Sequence, residues 1–408
     1  MNKEVKKIFV VLALYALSGG IFYNFQELWM AENNLSTQTI GIVYSLCALL
    51  SVSTIFLCSN LISKEKLKKF LCILLLFKFV ILLALFLLHN SGLNIIIKFL
   101  IMVDYVIDVE IWASIYPMIT IIIKNNKVYA LKDLIYSYAY YGGIIFTTFF
   151  LGKKILIFNI NFNTYCLVGG ILIFIAFIVL KYTNLDNYYL EKKDKDNVNS
   201  LTKVFKIIKK DSITQYYLLY HLTGSISYAC INGMMITLLT ANIGFSALAA
   251  SNFKMILGII AVFIGTLILE KLTLKNDYIN FTIKFVGRLF FYIVAFIFNN
   301  KILFIIAIIF MRLLSESYSH ISEAPYINRF SSYNQLAFCN LREMIGYFSK
   351  SIGNFLCGIA IAMGTRFNFL FAIIFIIFQI VFGFKALSLR LKEKSVVNLW
   401  LVMIGIKF

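Results

Sequence analysis

Met311-Arg312-Leu-Leu-Ser-Glu316-Ser-Tyr-Ser-His320-Ile-Ser-Glu323-Ala-Pro325 forms the core of a stretch, Ile302 to Arg329, that begins apolar and lies between apolar segments. Arg312, Glu316, His320 and Glu323 follow at spacings of four, four and three, which in a helix places all four on one face. A second stretch, 95–124, repeats this plan 208 residues earlier: Asp104, Asp108, Trp112 and Pro117 stand where Arg312, Glu316, His320 and Pro325 stand. Those two prolines are the only ones in the chain, and each is expected to mark a kink or a helix end. A charged side chain at mid-membrane costs about 2.5–3.5 kcal/mol on insertion scales, so such residues face a bundle interior or a wet cavity and find partners there. The paired stretches are expected to line a central path.

Composition sets the class. At 61% hydrophobic and 14% charged residues, with a mean hydropathy of +0.86, the chain has too little polar residue to cover a soluble protein of 408 residues. A hydrocarbon core of about 30 Å needs roughly 20 apolar helical residues. By that measure twelve spans are expected, at 8–29, 39–62, 70–88, 95–123, 134–151, 165–181, 213–239, 246–269, 281–298, 302–328, 336–363 and 368–388. The first is too long for a cleavable signal and has no small-residue cleavage site, so it is read as retained. All seven cysteines fall in apolar segments without paired metal-ligand spacing and read as packing thiols.

The net charge of +19 is explained by topology rather than by nucleic acid, since the basic residues are scattered between apolar runs with no basic stripe or RNA motif. One set of loops and termini carries 25 Lys or Arg, and the other carries only Lys153, Lys154, Lys301 and Arg366. Positive residues collect on the cytoplasmic side, which places both termini in the cytoplasm of a cell-membrane protein. The longest loop on that side, 182–211, reads as a solvated linker between a first bundle, 1–181, and a second, 212–390, followed by an interfacial tail, 391–408.

The two halves are similar in sequence. Tyr15-Ala-Leu-Ser-Gly-Gly-Ile-Phe-Tyr23 matches Tyr220-His-Leu-Thr-Gly-Ser-Ile-Ser-Tyr228 at an offset of 205. Asn60-Leu-Ile-Ser-Lys-Glu-Lys-Leu67 matches Thr266-Leu-Ile-Leu-Glu-Lys-Leu272 with one deletion, and Leu131-Lys-Asp-Leu-Ile135 matches Leu341-Arg-Glu-Met-Ile345 at 210. Four matches in order, with a slowly drifting offset, indicate a six-plus-six duplication. The fold class expected is an all-α membrane protein of twelve transmembrane helices in two pseudo-symmetric six-helix bundles.

On these features the chain resembles the major facilitator superfamily over nearly its whole length. In that family the loop between the second and third helices reads Gly-x-x-x-Asp-basic-x-Gly-basic-basic; here Ser59, Ser63, Lys64, Lys66, Leu67 and Lys68 keep the basic cluster and lack both glycines and the Asp. Proton-driven antiporters of the family carry Gly-Pro-x-x-Gly-Gly in helix five. Tyr138-Ala139-Tyr140-Tyr141-Gly142-Gly143 keeps only the last pair, which argues against drug/proton antiport. The family's buried Arg of helix four is replaced by Asp104, and an Arg stands at the equivalent place in helix ten, as Arg312. His320 and Glu323 resemble the His-x-x-Glu arrangement on helix ten of lactose-type sugar/proton symporters. The resemblance implies a secondary transporter, a monomer with no cofactor, partnered by a small-molecule substrate, protons and the lipid bilayer.

The embedded charges divide unevenly. The first half holds Glu27, Asp104, Asp108, Glu110 and Asp133 against Lys78 and Lys98; the second holds Lys254, Lys284, Arg288, Arg312, Arg342 and Lys350 against Glu316, Glu323 and Glu343. Two devices follow. Charge pairs across the halves could form and break as a gate, with a zwitterionic or polar solute bridging them. Alternatively His320 and Glu323 beside Arg312 form a protonation switch. Transport or proton coupling is assigned to Asp104, Asp108, Glu110, Arg312, Glu316, His320 and Glu323, although Glu110 points away from the Asp104–Asp108 face by its helical angle. Cavity candidates are Tyr23, Trp112, Tyr220, His221, Tyr228, Lys284 and Arg288. Cytoplasmic gate candidates are Lys132, Asp133, Arg342 and Glu343. The competing reading makes these charges structural salt bridges and helix-end caps. An exporter of amphipathic compounds, or a sensor on a transporter fold, would also suit this sequence; an enzyme is not expected, for want of a phosphate loop, metal cluster or nucleophile–base pair.

Overall fold

Long apolar runs fold here into long helices, because a backbone in lipid must satisfy its own hydrogen bonds. The computed structural model describes residues 3–32, 36–61, 66–88, 94–122, 126–150, 154–155, 158–159, 162–185, 201–271, 277–311, 326 and 332–403. In chain order the elements are α1 (Lys3–Glu32), α2 (Thr37–Leu61), α3 (Leu67–Leu88), α4 (Asn94–Ile122), α5 (Asn126–Phe150), a short pair β1 (Lys154–Ile155) and β2 (Phe158–Asn159), and α6 (Phe162–Lys181). After them come α7 (Leu201–Ile208), α8 (Ser212–Asn232), α9 (Met235–Leu238) running into a π-turn at Leu239–Ile243, α10 (Ala247–Lys271), α11 (Asp277–Phe298), α12 (Lys301–Met311), α13 (Ser332–Met363) and α14 (Thr365–Met403). Among the described residues six helices are long and apolar enough to cross a bilayer, or seven when the α8–α9 pair is counted as one bent span. The chain is a multi-pass membrane protein.

Local chemistry sets several boundaries. Ser36 caps α2, its hydroxyl accepting from the Thr39 amide at 3.1 Å, and Asn300 does the same for α12 through the Ile302 amide at 2.8 Å. Such caps satisfy amides that have no partner within the helix. Ser36→Ala is expected to lower stability by about 1 kcal/mol, read as a small drop in melting temperature in detergent. Gly364, at φ +120, joins α13 to α14 in a conformation that a side chain would strain.

Within the first half α1 packs on α5 and α6, and α3 on α6; within the second, α8 packs on α13 and α14, and α11 on α14. A buried serine makes the same kind of link in both: Ser18 donates to the Gly169 carbonyl at 3.0 Å and Ser227 to the Ala372 carbonyl at 2.9 Å. Gly20 and Gly143 let α1 and α5 approach backbone to backbone, since a Cβ on Gly143 would lie 2.8 Å from the Ile21 nitrogen. Among the described residues the halves meet mainly through α2 with α13 and α5 with α10, with smaller contacts of α1 with α9 and α4 with α13. Gly41 sits against Gly358 and Ser45 bonds Ser351 at 2.9 Å, while Thr148 bonds Ser251 at 2.9 Å. Farther along α2, Val52 and Ile55 cluster with Tyr105, Val109 and Ala113 of α4 and Met344 and Tyr347 of α13. The outward faces are apolar, as at Ile73, Phe77, Leu87, Phe99, Phe149 and Val381, where lipid rather than water is the solvent.

Three features depart from the sequence reading. The connection after α5 contains an antiparallel pairing, Lys154 with Asn159 and Ile155 with Phe158. The end of the linker is not solvated loop but α7, whose Leu201, Val204 and Ile208 are buried. A repeat of three and four apolar positions inside a polar segment is the physical reason. The last helix does not end near 388: α14 runs unbroken through Met403 over 39 residues, about 58 Å of helix and longer than a hydrocarbon core is thick.

Candidate functional site

Lys78 and the acids of α4 form the first cluster. Lys78 on α3 and Asp104 on α4 are both completely buried, and the ammonium donates to both Asp104 oxygens at 3.1 Å. Asp108, one turn farther along, brings its Oδ1 to 3.0 Å from the same nitrogen, a second ion pair of this ammonium. Lys78 thus holds two carboxylates, and Asp108, with 19% of its side chain exposed, is the less buried of the two. A buried ion pair of this kind is held by geometry as much as by attraction, since desolvation offsets much of the Coulomb gain.

Asp108 is the fifteenth of the 29 residues of α4, near its middle. Around it stand Tyr15 of α1, which donates to the Asp108 carbonyl at 3.1 Å, and Tyr105, Tyr136 and Tyr347, each near enough to feel the carboxylate's charge. Aromatic packing continues through Trp112 on Tyr136, with centroids at 4.6 Å, and Tyr136 stacked on Tyr140 at 5.9 Å. From the second half, α13 presents Arg342, Glu343, Tyr347 and Lys350. Arg342 bonds Glu343 at 2.9 Å. Lys350 lies over the Tyr347 ring, 4.2 Å from its centroid, within reach of the charges of Glu343 and Asp108.

The other proposed residues fall elsewhere. Glu110 is buried against α2, where Thr54 and Cys58 are its hydrogen-bonding partners and Oε1 has none. Arg288 is buried within the second half, its Nη2 3.2 Å from the Tyr292 hydroxyl and its Nε without a partner. Tyr220 packs on Phe281 and Phe285, and His221 lies beside Tyr217 and Gly346. Tyr217 stacks in turn on Tyr326 at 4.4 Å. Tyr228 offers its carbonyl to Asn232 at the bend between α8 and α9, a turn of 48° that leaves the Oδ1 atoms of Asn232 and Asn354 buried and unpartnered. Arg312, Glu316, His320 and Glu323 lie outside the described residues, as do the side chains of Tyr23, Lys132, Asp133 and Lys284.

The structure thus brings Asp104, Asp108, Trp112, Arg342 and Glu343 to one region and adds Lys78, Lys350 and four tyrosines that the sequence reading did not assign. A signal for Lys78 was present. Lys78 and Asp104 each lie 13 residues from position 91, in the middle of the α3–α4 connection, so antiparallel helices bring them to equal depth. No comparable count links Asp108 to Lys350, because their helices are not joined in sequence.

No family model and no curated protein sequence matches the chain. Solved structures do. A crystal structure of the nucleoside transporter NupG matches with a TM-score of 0.64 at 12% identity, covering 95% of this chain and 99% of that one. A bacterial homologue of the human lysosomal transporter Spinster, in an inward-facing conformation, matches with 0.63 at 14%, covering 96% and 99%. The xylose transporter XylE from E. coli, in a partially occluded inward-open conformation, matches with 0.64 at 13%, covering 94% and 98%. The chain has the fold of the major facilitator superfamily transporters.

Proposed function

We propose that this protein is a secondary transporter of twelve transmembrane helices in two pseudo-symmetric six-helix bundles. On this reading both termini are cytoplasmic, and a small polar or zwitterionic solute crosses the cell membrane by alternating access coupled to protons. The observation that carries the reading is the pair of contacts between the halves. α2 is the second long helix of its half and meets α13, the fifth of the other; α5 is the fifth and meets α10, the second. A two-fold axis between the halves exchanges these contacts, which is the geometry needed for two bundles to rock about a central site at mid-membrane. The nucleoside and xylose transporters among the structural neighbours support a polar solute.

In this reading Asp104 and Asp108 face the path from the first half, and Arg312, Glu316, His320 and Glu323 from the second, as the device that couples protons. Arg342 and Glu343, with Lys132 and Asp133, gate its cytoplasmic end. Proteoliposomes with an imposed pH gradient test the proposal, screened with amino acids, sugars, nucleosides and cationic drugs. Solute uptake should follow the gradient in wild type and become independent of it in Asp104→Asn or Glu323→Gln while the protein still folds. Gradient-independent behaviour in wild type would remove the proton from the mechanism, and extrusion of cationic drugs alone would favour an exporter.

A further inference from the structure

α7 carries apolar and basic side chains together at the point where a span begins. Leu201, Val204 and Ile208 are buried, and the helix packs on α13 and α8. Its winding continues past Ile208, since the Lys209 amide donates to the Phe205 carbonyl and the Lys210 amide to the Ile207 carbonyl, both at 3.0 Å. At about 100° per residue, Lys206, Lys209 and Lys210 therefore share one arc on the side away from the buried face. Phe205 borders that arc on one side and Ile207 on the other. All three lysines are exposed, and so are Phe205, at 44%, and Ile207, at 40%. The start of α8 fixes where this face lies. Asp211 caps α8 by accepting from the Ile213 amide at 3.2 Å, and Gln215 in the first turn donates through Nε2 to the carbonyls of Ile208 and Lys209, each at 2.9 Å. α8 and α9 together are long and apolar enough to cross a bilayer as one bent span from Ser212. The end of α7 is thus fastened to the first turn of a span, at the level of the lipid headgroups.

We propose that this face of α7 binds anionic lipid headgroups in the leaflet where α8 begins, with Lys206, Lys209 and Lys210 on the phosphates and Phe205 and Ile207 among the glycerol and upper acyl carbons. Water alone suits only the lysines, and hydrocarbon alone suits only the other two. The headgroup boundary suits all five, because lysine stems lie along apolar surface while their ammonium groups reach the polar layer. Charge selects the lipid. Among the described residues none of the three lysines has an ion-pair partner in the protein, and Asp211, the next carboxylate along the chain, accepts from the Ile213 amide and the Thr214 hydroxyl. A zwitterionic headgroup brings its own cation to each phosphate, whereas an anionic one brings net negative charge. Each lysine near such a surface strengthens binding about fivefold, an effect that salt screens. Because α7 packs on α8 and α13, lipid held there fastens it to the second half.

The test uses the purified full chain in nanodiscs of phosphatidylcholine, alone or mixed with phosphatidylglycerol. Amide hydrogen exchange across residues 201–210 should slow about fivefold or more when phosphatidylglycerol is present, and high salt should reverse part of the slowing. The triple variant Lys206→Gln, Lys209→Gln, Lys210→Gln should exchange at one rate in both lipids. Tryptophan fluorescence added by Phe205→Trp, and separately by Ile207→Trp, should be quenched by brominated phosphatidylcholine beyond the quenching of wild type. The wild-type comparison decides the matter even where a variant folds poorly. Equal exchange of wild-type α7 with and without phosphatidylglycerol would overturn the assignment, as would tryptophans at both positions that brominated lipid does not reach. The same slowing by inorganic phosphate added to phosphatidylcholine nanodiscs would make the lysines a site for free phosphate and overturn the lipid surface.

Discussion

Lys78→Met is expected to lower the stability of the folded protein by about 3–5 kcal/mol, the cost of removing one partner from a buried ion pair. Methionine fills much of the same volume, so the loss is electrostatic rather than a cavity effect. The ammonium is completely buried and holds both oxygens of Asp104 and one of Asp108. Without it two carboxylates one helical turn apart remain in a low-dielectric interior, where an uncompensated charge is far costlier than in water. Adding Asp104→Leu to Lys78→Met should recover a large part of the loss, because only the partly exposed Asp108 is then left without its cation. The two substitutions should therefore be non-additive by more than 1 kcal/mol, as expected for groups in direct contact. Thermal unfolding in detergent, or steric trapping in bicelles, measures all four corners of the cycle. Additive losses would mean that the pair does not hold α3 to α4.

Gly41→Leu should instead change which conformation the protein occupies. A Cβ on Gly41 would stand 2.8 Å from the Gly358 Cα and 3.0 Å from the Asn354 carbonyl oxygen. Both are backbone atoms, so no side-chain rotation relieves the overlap, and α2 must move from α13. Overpacking of this kind costs about 1–3 kcal/mol. The cost falls only on conformations in which this end of the two helices is closed, so the balance should move toward the open one by about five- to 150-fold. Spin labels at Gln38 and Met363, near the same end of the two helices, would report the change. The expected result is growth of a longer-distance population in the variant. An unchanged distance distribution in a folded variant would show that the α2–α13 contact does not open there.

Much of the architecture was legible in the residues because hydropathy acts locally. The run from Asn94 to Ile122 is apolar enough to be a helix wherever it lies, and the sequence reading placed it within a residue at each end. The match between Tyr15–Tyr23 and Tyr220–Tyr228 pointed to halves built alike, and among the described residues the contacts of α1 with α5 and α6 and of α3 with α6 have counterparts in those of α8 with α13 and α14 and of α11 with α14. α7 was missed because eight residues are too few for a spanning pattern, although Leu201, Val204 and Ile208 carry the spacing of a packed face. The bend at Gly233 was missed because an Asn-Gly pair within an apolar run does not by itself break a helix. Here Asn354 packs against Gly233 from α13, a contact that a side chain on the glycine would block.

For the site, the sequence by itself determined which charges stand within apolar segments, on which helical face Asp104 and Asp108 lie, and that acids outnumber bases among them in the first half and bases outnumber acids in the second. Those properties depend on composition and on a periodicity of 3.6, both of which act over a few residues. Partnership was decided only by the tertiary structure. It gave both Asp104 and Asp108 to Lys78 within the same half, turned Glu110 to Thr54 and Cys58, and brought Tyr347 and Lys350, from a helix more than two hundred residues away, within the field of Asp108. The reason is physical: a carboxylate's energy depends on what lies within a few ångströms, and that is settled by how helices cross and rotate against one another rather than by spacing along any one of them.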